Sequence, residues 1–93
     1  MSYTKDPDAT LDWTFDWGPW LTTGEVLSTA AVTVPTDTGA IVKATTETVD
    51  PDGTVTVWLR GGTAGKSYDV VCRVTTNQGR TDERTIRIRV DNR

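Results

Sequence analysis

Few residues in this chain carry reactive chemistry. There is one cysteine, Cys72, and aspartates pair in DPD at 6–8, in LDWTFD as Asp12 and Asp16, and in DPDG at 50–53. Histidine is absent, so the commonest general base and metal ligand is missing. With no imidazole to ionise it, and at core parity in an alternating stretch, Cys72 reads as a small buried hydrophobe rather than a nucleophile. None of the acid pairs supplies the spaced oxygen ligands and closing glutamate of an EF-hand loop, and aspartate is an ordinary turn starter. GGTAG at 61–65 lacks the Lys-Ser/Thr ending and the following helix of a phosphate loop. The expectation is no catalytic residue, no metal and no cofactor.

What remains is surface chemistry. Three of the four tryptophans fall within residues 13–20. Trp17 and Trp20 flank Gly18-Pro19, where a tight turn presents one ring to the core and leaves the other at the rim as a contact residue. Trp58 has the opposite parity to Val55, Val57 and Leu59, so its indole points outward and reads as an interface anchor, unless a loop or the WGPWL segment folds over it. Arg73, Arg87 and Arg89 share an outward parity and form a basic stripe, with Asp12 and Asp16 as its acidic counterpart. The sign of charge is split along the chain: two lysines stand against nine acids through Leu59, and eight basic residues against four acids from Arg60 onward. Either the two halves pair in one sheet and neutralise each other, or the acidic and basic surfaces belong to neighbouring subunits whose heterologous contacts close a ring.

The elements that must position these residues are strands. Leu11, Trp13, Phe15 and Trp17 alternate with polar residues, and so do Val55 to Leu59, Tyr68 to Val74 and Ile86 to Val90. Residues 26–34 and 40–49 are weaker, Thr- and Val-rich strands. Turn residues at Gly18-Pro19, Pro35 to Gly39, 50–53 and 77–79 separate them. Short strands at turn-limited intervals predict an all-β antiparallel sandwich of about seven strands, of the immunoglobulin or fibronectin type III kind. Tyr68, opening a strand after the corner at Gly61 and Gly62, is placed to bond its hydroxyl back to the corner's backbone. Residues 1–8 read as an arm that orders on binding, and 9–93 as one domain. A lone cysteine allows no internal disulfide. A net charge of −3 argues against nucleic acid as a partner. The N-terminal residues have no apolar segment of signal-peptide type and no run reaches membrane-spanning length, so folding in cytoplasm is expected.

KDPDATLDWTFDWGPWL at 5–21 and VWLRGGTAGKSYDVVCRVTTNQGRTDERTIRIRV at 57–90 resemble small proteins of the structural-gene modules of tailed bacteriophages. Members share a KDPDxxLDY-like start, a DWxxWL segment, a VWLxGGTAG corner and a TTxxGRTDER hairpin. Trp13 stands where tyrosine is usual, and Gly18-Pro19 where polar residues are. The group is similar to phage fibre-tail adaptor or virion-associated proteins. That resemblance implies a non-enzymatic virion protein at the tail or neck, a homo-oligomer in the particle, with other virion proteins as partners and no membrane. The alternatives are a capsid decoration protein, a carbohydrate-binding module that stacks sugars on tryptophan, and a DNA-binding arginine hairpin, the last disfavoured by net charge.

Overall fold

A computed structural model describes residues 2–50 and 52–91. Met1 of the expected arm, Pro51 of the expected turn, and residues 92 and 93 lie outside the described residues. The strands are β1 (Ser2–Lys5), β2 (Leu11–Asp16), β3 (Leu27–Thr33), β4 (Ile41–Lys43), β5 (Thr48–Val49), β6 (Thr54–Gly61), β7 (Ser67–Thr76) and β8 (Thr81–Val90). They build two sheets. Sheet A has the order β1-β8-β7-β3, and sheet B the order β2-β6-β4, with β5 also on β6. The described residues contain no α-helix, only one 3₁₀ turn at Gly18–Trp20, started by Pro19 with its preset φ.

Two expectations need correction. The arrangement is not wholly antiparallel, because β1 runs parallel to β8, with Ser2 opposite Arg87 and Lys5 opposite Val90. The same pairing makes residues 2–5 of the expected arm an edge strand. Tyr3 and Lys5 supply the apolar and amphipathic residues that hold it. Tyr3 meets Trp13 edge to face at 6.4 Å. Lys5 is fully buried, and its ammonium donates to the carbonyls of Asp6 and Gly61, at 2.8 and 2.9 Å. Burial holds this amine below its ordinary value of 10.5, against the opposing pull of Asp6 and Asp8. The long alkyl stem finishes the apolar layer while the head satisfies backbone oxygens.

The core lies between the sheets and follows the period-two pattern. Phe15, Val55, Val57 and Leu59 from sheet B meet Val32, Val70, Cys72, Val74, Ile86, Ile88 and Val90 from sheet A. Burying an aliphatic side chain of this size contributes about 1.5–3 kcal/mol. β6 is central to sheet B, with β2 on one side and β4 and β5 on the other, so its inward residues are fully buried.

Two glycines set the corners. Gly62 has φ +99°, and a Cβ there would lie 2.6 Å from Val90 Cγ2, so only glycine lets the corner close on the end of β8. Gly53, with φ +114°, packs backbone to backbone on Gly18, and its carbonyl accepts the Trp17 N–H at 2.7 Å. Across the first corner, Tyr68 Oη accepts the Thr63 N–H at 3.0 Å and donates to Gly39 O at 3.3 Å. The phenol thereby ties the β6–β7 corner to the loop before β4.

Candidate interaction surface

The outer face of sheet B carries the largest exposed aromatic. Parity on β6 turns Trp58 away from Val57 and Leu59, and the ring is 43% exposed. Asp12 stands directly across from it on β2, and Val42, 39% exposed, stands across from Arg60 on β4. The WGPWL segment does not fold over Trp58. It lies at the far end of β2, beside the 50–53 turn. Threonines share the rest of this face with Arg60 and Asp16, and the Thr14 and Thr56 hydroxyls bond across the ladder at 3.1 Å. Asp16, at the end of β2, accepts the Gly18 N–H at 2.9 Å and so starts the turn.

Trp17 requires correction as a contact residue. It is fully buried, while Trp20, the second candidate, is half-buried at the rim. The pair meets edge to face at 5.5 Å and 64°. Two arginines of the basic half cover them. The Arg84 guanidinium lies 4.2 Å from the Trp17 ring and the Arg80 guanidinium 4.2 Å from that of Trp20. Arg84 also donates to the Asp16 carbonyl at 2.8 Å, and Arg80 to that of Trp20 at 3.0 Å.

Arg80 then clamps Glu25, whose carboxylate is buried and also accepts from the Thr22 N–H and the Thr76 hydroxyl. The Arg80 hydrogen bonds hold the Glu25 carboxyl well below its ordinary value of 4.5, with the Thr22 and Thr76 bonds adding to them against the cost of burial. No period-two reading finds Glu25, because it lies in the turn before β3 and its partner is 55 residues away. The legible signal was a lone acid beside apolar residues.

The basic stripe is present on the outer face of sheet A but is not a free positive surface. Arg73 pairs with Glu83 at 3.9 Å, Arg87 with Asp69 at 3.0 Å, and Arg89 with Asp91 at 2.9 Å. Each arginine takes its counter-ion from β7, β8 or the residue after them. The acids of β2 do not neutralise the arginine stripe within one sheet, because β2 pairs with β6 and the arginines lie in the other layer, while Glu25 of the acidic half does meet Arg80 of the basic half. Asp12 and Asp16 are on sheet B, away from the stripe.

Cys72 is fully buried in the core, and burial pushes its thiol up to about 11. That is the opposite of what a nucleophile requires. Among the described residues no cluster of three metal-ligating side chains occurs, and no helix is long and apolar enough to cross a membrane. The arrangement offers burial, stacking and strand edges, which are the means of binding another protein.

No match is found among curated proteins. A family model described as podophage GP4 fiber-tail adaptor protein gp77 matches residues 5–89, nearly the whole chain, and the chain belongs to that family.

Proposed function

We propose that this phage tail-fibre adaptor is a non-enzymatic, single immunoglobulin-like domain that works at the tail or neck, in repeated copies, and joins fibre or other tail proteins through the outer face of sheet B. The strand orders suit an immunoglobulin-like plan, with β3, β7 and β8 as one sheet, β2, β6 and β4 as the other, and Tyr68 at the corner before β7. The observation that carries the proposal is Trp58, a large ring left 43% exposed in the middle of a sheet and flanked by exposed Val42. Such a ring buries much area at little conformational cost when a partner covers it. Symmetry multiplies modest contacts of this kind in a particle assembled in the host cytoplasm.

The test is complementation with Trp58→Ala. The variant is expected to fold as the parent does and to be lost from purified particles, with Trp20→Ala a weaker second site. Normal incorporation of Trp58→Ala overturns the assignment of this face.

A further inference from the structure

β3 ends sheet A on the side away from β1, and no strand lies beyond it among the described residues. It is the longest of the edge strands, and its seven residues, LSTAAVT, carry no charge. By contrast β1 has Lys5, β2 has Asp12 and Asp16, β4 has Lys43, and β5 has only two residues. A long uncharged edge is a template for another strand unless something blocks it. Here one of its N–H groups is already plugged. The Val32 N–H donates to Glu47 Oε2 at 2.9 Å, and the Lys43 ammonium donates to the same oxygen at 3.0 Å. Glu47 comes from the other layer. Lys43 lies opposite Leu59 and Thr48 opposite Thr56, so four residues, 44–47, stand against two on β6, 57 and 58. That excess carries Glu47 out of the sheet B ladder and across to β3.

We propose that β3 is the edge at which two copies of this chain join, and that Glu47, held by Lys43, is the latch that keeps this edge closed in the free chain. The strand is self-complementary. A bulge separates Leu27 from Thr29, and from Thr29 to Thr33 the register on β7 is regular. That stretch, TAAVT, reads nearly the same in both directions. A two-fold axis at Ala31 therefore sets Thr29 of each copy against Thr33 of the other, Ala31 against Ala31 and Ala30 against Val32, with no charge opposed. Thr29 and Thr33 are on the exposed face, and on such faces this molecule already joins threonine hydroxyls across strands, Thr14 to Thr56 at 3.1 Å and Thr75 to Thr81 at 3.3 Å. Thr75 is itself opposite Thr29, so the pairing extends an existing threonine row into the second copy.

The backbone agrees with the side chains. Val32 offers its N–H away from β7, so by alternation Ala30 does the same, while Ala31 and Thr33 bond to β7. Ala30 and Val32 are the residues that meet across the axis, and each such pair exchanges two N–H to carbonyl bonds once Glu47 releases the Val32 N–H. The contact is isologous and leaves neither β3 edge free, so it stops at a dimer. This deepens the repeated-copy reading proposed above and rests on it only for the dimer's place in a particle. Its test uses the purified chain, so that it and the Trp58 face stand or fall separately.

The experiment measures the mass of the full chain by sedimentation equilibrium up to millimolar concentration. Glu47→Ala is expected to dimerise about tenfold more tightly than the parent, because the Val32 N–H no longer has an acceptor to give up. Lys43→Ala, which leaves Glu47 less firmly held, is expected to move the same way by a smaller factor. In the Glu47→Ala chain, raising the concentration is expected to slow exchange of the Ala30 and Val32 amides about tenfold, while those of Ala31 and Thr33, bonded to β7, stay as they were. Two further changes in that background break the dimer without touching the β7 ladder. Ala30→Pro removes an N–H on the open side, and Ala31→Glu sets carboxylate against carboxylate at the axis while facing Arg73 within its own subunit. Each is expected to weaken association about tenfold. A monomeric Glu47→Ala, association no tighter than the parent's, a species larger than a dimer, new protection on β2 in place of β3, or undiminished association in a folded Ala30→Pro or Ala31→Glu chain each overturns the proposal.

Discussion

The two tryptophan regions of this molecule end in opposite states. Trp17 is fully buried, touches Trp20 edge to face and lies under Arg84, while Trp20 is covered by Arg80, which is clamped in turn by buried Glu25. Among the described residues no ring or guanidinium stacks on Trp58. The difference lies in what the rest of the chain delivers to each site. The β7–β8 hairpin brings Arg80 and Arg84 to the first pair, from 60 or more residues further along the chain. One region is thus completed within the subunit, and the other presents an aromatic surface for a partner to complete.

The largest expected effect is a contrast between two truncations. Trp17→Ala opens a large cavity in the core and is expected to cost about 3–5 kcal/mol by urea unfolding. Trp58→Ala removes a ring with little support and is expected to stay within about 0.5 kcal/mol of the parent. Equal losses would show that Trp58 is part of the folding core and break the comparison.

Acid sensitivity is the next largest effect, and the carboxylate held furthest below its ordinary value is at the Trp17–Trp20 end. The folded-state Glu25 carboxyl titrates well below its ordinary 4.5 because Arg80 holds it. Its contribution is therefore complete above 4.5 and drains away as pH falls toward the folded value. Glu25→Gln cannot titrate. Parent and variant thermal midpoints are thus expected to converge between about pH 5 and pH 3, the parent falling the more steeply. A constant gap across that range would mean that the Glu25 charge does not hold this end together. Trp58→Ala is expected to leave the parent's slope unchanged.

How much of this was legible in the sequence depends on whether a residue lies in a strand or beside one. Val55, Val57, Leu59 and Trp58 were sorted correctly to inner and outer faces because a strand has period two and each neighbour fixes the next. Trp17 also follows the parity of Phe15, but it sits one residue past the end of β2, where the turn rather than the pleat decides. β1 was unreadable for a different reason. SYTK has no alternation of apolar residues, and its inward positions are filled by Tyr3 and by Lys5, whose burial is possible only because the Gly61 and Asp6 carbonyls lie within reach of its ammonium. The charge stripe was read correctly by parity, but its counter-ions were not foreseen, since Asp69, Glu83 and Asp91 sit beside the arginines in space and interleave with them in sequence.

The smallest expected change sharpens the comparison without unfolding anything. Trp17 Nε1 finds no oxygen or nitrogen acceptor, and its N–H eases the ionisation of the Cys72 thiol. Burial outweighs that and raises the thiol from 9.0 to about 11. At pH 8 this leaves roughly a hundredfold less thiolate than an ordinary cysteine would give. The parent is therefore expected to react with an aromatic disulfide reagent only through unfolding, at a rate that follows the population of open molecules. Trp17→Phe trims the cover over the sulfur and is expected to speed labelling, whereas Trp58→Ala, on the far side of sheet B, is expected to label as the parent does. If both label equally fast, the two regions open together as one cooperative unit. If only Trp17→Phe does, the closed end protects the core by itself, and the Trp58 face is free to serve a partner without affecting the fold.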